Sequence, residues 1–441
     1  MYECAVSLIK KGLAYVCDYS AEEIKATRGT LTEPGKESPW RGRSIEENLR
    51  LFEEMKDGKY PDGSKVLRAK IDMASPNINM RDPVIYRVLR ATHHRTGDKW
   101  CIYPMYDFAH PLEDAFEGIT HSICTLEFED HRPLYDWVKY NCGFGDFPRQ
   151  IEFARLGMTR TIMSKRYLKK LVDEGKVSGW SDPRMPTLSG MRERGYPPEA
   201  IKKFCQEIGV SKSQSEVDVS MLEHFVRDYL NMNADRMMVV KDPVKLIVAN
   251  AEEDEVYEIE NNPNAEEKTF HKVSFSRELY IDREDFAIEP PPKYKRLVPG
   301  GKVRLKGSYI LEYVSHKCDK DGKVQEIVCN YIPDSISGGA NANIKVKGVI
   351  QWVNAKDCVD LTLHEFDYLL LDGEGDFNDR LTPNSHTVYP DAKGESALRD
   401  VKPYDRFQFM RMGYYSAVGT YGKDGKYEFN QITGLKDSYG K

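Results

Sequence analysis

The texture of the sequence changes near Asp235, and no other feature constrains the fold as strongly. Before it, helical and extended patterns alternate. After it, Val, Ile and Tyr become frequent, apolar and polar residues alternate, and turns recur at Pro299-Gly-Gly301, Asp321-Gly322 and Lys423-Asp-Gly425. Period-two alternation broken by such turns is the pattern of half-buried strands closing into barrels. At 441 residues the chain is too long for one core, which points to about three domains.

Upstream of the change, residues 3–16 read as a helix running into a short strand, Leu13-Ala-Tyr-Val16. Arg28-Gly-Thr-Leu-Thr32 and Glu33-Pro-Gly35 read as extended chain and turn. Ser44-Ile-Glu-Glu47 has capping-box spacing, predicting a helix over 45–55. Val66-Leu-Arg-Ala-Lys-Ile-Asp72 alternates in part, as a strand does, and Trp100-Cys-Ile-Tyr103 reads as a buried strand. A helix is expected over 112–120 with Leu112, Ala115, Phe116 and Ile119 inward. That phase makes Glu113-Asp114 a first-turn acidic pair favoured by the helix dipole. Further helices are expected over 166–175, 198–207 and 220–230. The last turns Leu222, Phe225, Val226 and Tyr229 to a core.

Several classes are disfavoured. Charged residues at 30% and apolar residues at 40% fit a soluble globular protein. Apolar runs such as Tyr368-Leu-Leu-Leu371 are far short of a membrane span, and Met1-Tyr-Glu-Cys4 has no signal-peptide character. The nine cysteines are scattered and never spaced Cys-x-x-Cys, which favours reduced thiols in the cytoplasm over a disulfide framework or zinc ribbon. His110 and His121 have no partners at ligand spacing, so no metal site is expected. Net charge is −6, yet a nucleic-acid binder needs only a basic face. Lys293, Lys295, Arg296, Lys302, Arg304 and Lys306 supply one, although such clusters are ordinarily solvated surface.

Function is carried by an ordered set of motifs. These are Cys101-Ile-Tyr-Pro-Met-Tyr-Asp-Phe-Ala-His110, Leu112-Glu-Asp-Ala-Phe-Glu-Gly-Ile-Thr-His121, Ser122-Ile-Cys-Thr-Leu-Glu-Phe128, Thr161-Ile-Met-Ser-Lys-Arg166 and Ser181-Asp-Pro-Arg-Met-Pro-Thr-Leu188. In this order they resemble the later part of class I aminoacyl-tRNA synthetases of the glutamine/glutamate group, and in detail the glutaminyl branch. The resemblance runs from about Gly12 to the C-terminus. It implies a multidomain α/β plus β chain: a Rossmann-type catalytic domain with an inserted acceptor-binding domain, a helical connector and two C-terminal anticodon β-barrels. The corresponding spans are 1–100 for the insertion and its flank, 101–165 for the second half of the Rossmann domain, 166–235 for the connector and 236–441 for the barrels. The His-x-Gly-His signature of the class is absent. Among ten histidines the only close pair, His93-His94, has no intervening glycine, so the catalytic domain is expected to be incomplete at its N-terminus.

The resemblance also implies roles. Met163, Ser164 and Lys165 match the mobile ATP loop, with Lys165 stabilising phosphate charge, Ser164 donating a hydroxyl and Met163 packing the loop. Arg155 and Leu156 match ATP contacts. Read without these neighbours, Lys165 is an ordinary basic helix start. Tyr106, Asp107, Cys124 and Gln150 match the amino-acid pocket. Relatives that charge glutamate tend to carry arginine where this chain has Cys124, and a neutral thiol suits an amide better than a carboxylate. Leu31 matches a wedge that opens the terminal pair of the tRNA acceptor stem, while Pro76 and Asp130 match minor-groove contacts there. Arg236, Arg296, Arg304, Gln408 and Arg411 match anticodon readers. Lys306 stands where the family has arginine, which keeps the charge and loses the fork. The implied reaction joins L-glutamine to tRNA(Gln) with ATP and Mg2+ through a glutaminyl-adenylate, in a cytoplasmic monomer with no DNA or membrane partner. Three other readings are a tRNA-binding protein without catalysis, a glutamate-charging relative, and an enzyme completed by a separate polypeptide.

Overall fold

A computed structural model describes residues 1–418, 425–437 and 439. The Lys423-Asp424 part of the third expected turn lies outside the described residues. The chain forms two compact units, Met1–Arg155 with Val210–Ser215, and Leu156–Gly209 with Glu216–Lys441.

The first unit is built on a four-stranded antiparallel sheet in the order Ala14–Cys17, Val66–Ala69, Val84–Val88, Ile102–Pro104. Helices Tyr2–Lys10 and Ile45–Lys56 bury Leu8, Ile9, Phe52 and Met55 in the core that this sheet shares. A second element is a parallel pair, His121–Thr125 beside Arg149–Phe153, joined through the helix Arg132–Asn141. Parallel neighbours need such a crossover, and strand, helix and parallel strand together form a βαβ unit.

Three local expectations are corrected here. Ser44 does accept from the Glu47 amide at 3.2 Å, but Glu47 turns to Arg43 at 3.6 Å instead of closing the box. The complete capping box is at Ser20 and Glu23. Strand Val66–Ala69 is buried on both faces and does not alternate. Its Arg68 is fully buried, donating to the Asp82 carbonyl at 2.6 Å. The helix expected over 112–120 is Tyr106–Phe116, with Pro111 inside it. Its buried face is Phe108, Pro111 and Leu112, while Phe116 and Ile119 are exposed. Glu113 and Asp114 therefore lie near the helix C-terminus, where the dipole does not favour them.

The second unit has helices Lys165–Asp173, Leu188–Arg194, Pro198–Ile208 and Val219–Asn233, followed by two seven-stranded barrel-like sheets. Helix Val219–Asn233 buries Leu222, Phe225 and Val226 as expected. The sheets are not consecutive in sequence. Strands Asp235–Met237 and Val239–Val240 belong to one sheet, the chain then builds the other over residues 243–354, and it returns to the first over 359–434. Asp235–Met237 pairs in parallel with Arg406–Phe409. Strand Lys302–Leu305 shows the expected alternation, with Val303 and Leu305 fully buried.

Candidate functional site

In the first unit, the expected pocket residues share one locality. Tyr106 opens its helix, is 54% exposed, and stacks on His110 at 5.1 Å. Asp107 accepts from or pairs with His131 Nδ1 at 2.8 Å. On the parallel pair, Ser122 registers with Gln150 and Cys124 with Glu152, so period-two geometry places these four on one face. Gln150 is buried. Its Nε2 donates to the Phe128 carbonyl at 2.9 Å and to Glu152 Oε1 at 3.0 Å. Both amide hydrogens are thus committed, which leaves Oε1 as the acceptor the side chain can present. The Cys124 thiol is pushed up by burial and stays uncharged at neutral pH, as does the Tyr106 phenol, raised by burial and by Cys124.

A shell that the sequence did not disclose holds this pocket. His110 Nε2 lies 3.0 Å from Ser122 Oγ and 3.0 Å from Asp114 Oδ2, and Asp114 also accepts from the Tyr135 hydroxyl at 3.0 Å. His121, by contrast, is exposed and bonded only to Thr120 among the contacts described. Glu152 is 1% exposed and is paired with Arg132 at 3.2 Å and Lys212 at 3.3 Å. Glu152 follows Gln150 by two residues, and that period was its one sequence signal. Lys212 arrives from residues 210–215 and had none.

Also in this unit, Leu31 sits on its turn 78% exposed, so it is not tucked into its own domain. Pro76 and Asp130 are exposed and adjoin each other, since Asn77 Nδ2 donates to the Asp130 carbonyl at 2.7 Å. Arg155 ends the unit, exposed, and Leu156 begins the second unit, packed against its helical core.

In the second unit, Ile162 is buried with Leu168 and Leu171 and anchors the loop before helix Lys165–Asp173. Met163 is exposed. Ser164 takes the N-cap position without making the cap bond, so its hydroxyl is not used by the helix. Lys165 follows at the first helical position, exposed and without an acidic partner among the described residues; the first turn contains no acid. Three positive features thus coincide: free first-turn amides, the N-terminal end of the dipole, and an unpaired ammonium. A cation there opposes the dipole, and an anion would reverse the sign.

Downstream, Asp182 holds the Ser181–Leu188 segment. Burial pushes its carboxyl up, but hydrogen bonds from the Arg184 guanidinium and from the Ser178 and Arg184 amides outweigh this and hold it at about 2. The folded value lies below the unfolded one. The stabilisation, about 2 kcal/mol, is therefore complete above roughly pH 4 and lost as pH falls through about 2. Asp182→Asn is expected to destabilise by that amount at pH 7, with the gap to the parent narrowing below pH 4 in urea titrations. A gap independent of pH would contradict this.

The expected anticodon residues divide into two groups. Arg236 and Gln408 are register partners on parallel strands, and Arg236 Nε and Gln408 Oε1 are each buried without a partner. Arg236, Lys306, Tyr257 and Glu258 line an open groove. The other arginines are committed internally. Arg304 donates to the Ser335 and Ala342 carbonyls at 2.6 and 2.7 Å. Arg296 and Arg411 clamp the fully buried Asp285, at 2.9 Å from Arg296 and 2.7 Å from Arg411. Among the described residues, no cluster of three or more His, Cys, Asp or Glu side chains is placed to hold a metal.

Comparison with known families gives a match to the class I tRNA synthetase (E and Q) catalytic domain over residues 1–232, and to the anticodon-binding domains of the same class over 234–332 and 349–417. A glutamine–tRNA ligase of Clostridium perfringens is 56% identical across the whole chain, which covers 81% of that relative. One from Clostridioides difficile is 54% identical with 80% covered, and one from Pseudomonas aeruginosa 49% with 81%. Among solved structures, a glutamate tRNA ligase from Elizabethkingia meningosepticum, crystallised with its amino acid, aligns at 19% identity and a TM-score of 0.35, over 52% of each chain.

Proposed function

This chain belongs to the class I tRNA synthetases for glutamate and glutamine, and we propose that within them it is a glutamine–tRNA ligase. The observation that carries the choice of amino acid is the pocket around Cys124. It presents a neutral thiol, a neutral phenol and the Gln150 carbonyl oxygen, while the two nearby cations, Arg132 and Lys212, are paired to Glu152. An amide supplies N–H donors to the Gln150 oxygen and a carbonyl that accepts from the phenol hydroxyl. Among the described residues here, a glutamate carboxylate finds no unpaired cation and meets the Gln150 lone pairs.

In this reading Tyr106, Asp107, Cys124 and Gln150 hold glutamine. Lys165 meets the phosphate charge that builds as the glutamine carboxylate attacks ATP and pyrophosphate leaves. Ser164 and the first-turn amides donate to the same oxygens, Met163 packs the loop, and Arg155 and Leu156 border the nucleotide. Mg2+ enters with the ATP phosphates. The acyl group then passes from the adenylate to the end of tRNA(Gln), releasing AMP. Leu31, Pro76 and Asp130 would meet the acceptor stem. Arg236 and Gln408, with buried unpartnered polar atoms, are the best-supported anticodon readers. Arg296, Arg304 and Arg411 would shape that surface from beneath. The span boundaries at 100, 165 and 235 and a monomeric cytoplasmic state belong to the same proposal.

Cys124→Arg tests the pocket. The variant is expected to lose glutamine charging and to gain measurable glutamate charging. Unchanged discrimination would remove Cys124 from the site.

A further inference from the structure

Arg81 is 3% exposed and has no acidic partner among the described residues. The neighbouring carboxylate is already occupied: Asp82 accepts from Arg41 at 2.7 Å, from Tyr15 at 3.1 Å and from the Ile71 amide at 2.8 Å. The Arg81 charge is met by backbone carbonyls instead. Nη1 reaches those of Arg28, Thr30 and Glu33 at 3.0, 2.8 and 2.9 Å, and Nε reaches that of Ser75 at 2.7 Å.

These carbonyls belong to two segments. Arg28, Thr30 and Glu33 bracket the exposed Leu31, and Thr30 closes the turn through its own amide and hydroxyl. Arg28 is also the C-cap of helix Ala21–Thr27, so the cation sits at the favourable end of that dipole. Ser75 precedes Pro76, whose neighbour Asn77 bonds the Asp130 carbonyl. The turn is tight as well. Gly29 has φ +80, and a Cβ there would stand 2.5 Å from the Glu33 oxygen.

A guanidinium with fixed donors is suited to this task because it sets the direction of each carbonyl it holds. We infer that Arg81 is a positioning residue that fixes the Leu31 turn against the Ser75–Asn77 segment and its Asn77–Asp130 contact, and so sets how far the wedge reaches into the acceptor end. It touches no nucleotide itself. The inference rests on the reading of Leu31 as the wedge.

The test uses the full chain and a tRNA(Gln) transcript carrying 2-aminopurine in its terminal pair, which brightens when unstacked. At saturating protein the parent raises the fluorescence, and Leu31→Ala loses the rise. Arg81→Met is expected to lose it too, while tRNA remains bound and a transcript with a mismatched terminal pair stays bright. Arg81→Lys restores part of the rise. A structural role alone would lower stability without this selective loss. If Leu31→Ala loses the rise and Arg81→Met keeps it, the inference is overturned and the wedge reading stands. If Leu31→Ala keeps it, the wedge reading itself falls. Should Arg81→Met not fold, Gly29→Ala carries the test by deforming the turn with the cation in place, and retention of the rise there overturns the inference.

Discussion

Lys165→Ala is expected to lower glutamine charging by about 10²–10³-fold, the loss typical when one preorganised stabiliser of developing charge is removed. Thermal stability and tRNA affinity should not fall with it. The reason lies in the placement. Lys165 opens helix Lys165–Asp173 with no acid in the first turn, and it forms no ion pair among the described residues. Fold stability gains nothing from a cation at that end; removing it should relieve a dipole conflict worth about 0.3–1 kcal/mol. Activity and stability should therefore move in opposite directions, which single-turnover charging and a thermal melt on the same preparations will show. A charging loss accompanied by a lower melting temperature would make Lys165 a structural residue.

The second large effect is on stability. Arg411→Met leaves Asp285, fully buried, with Arg296 alone. Breaking a buried ion pair from one side costs about 3–5 kcal/mol, whereas replacing both partners by apolar groups is often nearly neutral. The urea midpoint of Arg411→Met should fall by a corresponding amount, and Asp285→Leu combined with Arg411→Met should recover much of it. Any loss of tRNA binding in the single variant would then follow from a loosened fold. Unchanged stability with altered anticodon discrimination would instead establish Arg411 as a direct reader.

These two residues show where the sequence was legible. The Met163-Ser164-Lys165 segment could be singled out because its signal is local and its flanking motifs are ordered, and the helix that starts at Lys165 was legible with it. The alternation of Val303 and Leu305 and the apolar stripe of helix Val219–Asn233 were legible for the same reason. Helix Tyr106–Phe116 was misplaced because Pro111 reads as a boundary; the structure accommodates it inside, and the phase error carried Glu113 and Asp114 with it. Arg68, Arg81, Glu152 and Asp285 were invisible as buried groups. Charged residues default to the surface, and each of these is held by partners that sequence does not display: backbone carbonyls for Arg68 and Arg81, Arg132 and Lys212 for Glu152, and Arg296 and Arg411 for Asp285. The split of one sheet between residues 235–240 and 359–434 was hidden because parallel closure joins segments far apart in the chain.

The most direct test of the glutamine assignment is a competition: ATP, Mg2+, tRNA(Gln) and an equimolar mixture of labelled glutamine and glutamate, with the ester-linked amino acid identified on the recovered tRNA. The proposed pocket, with Cys124 uncharged and the Gln150 oxygen as acceptor, predicts glutaminyl-tRNA as the product. Glutamyl-tRNA as the product would contradict it.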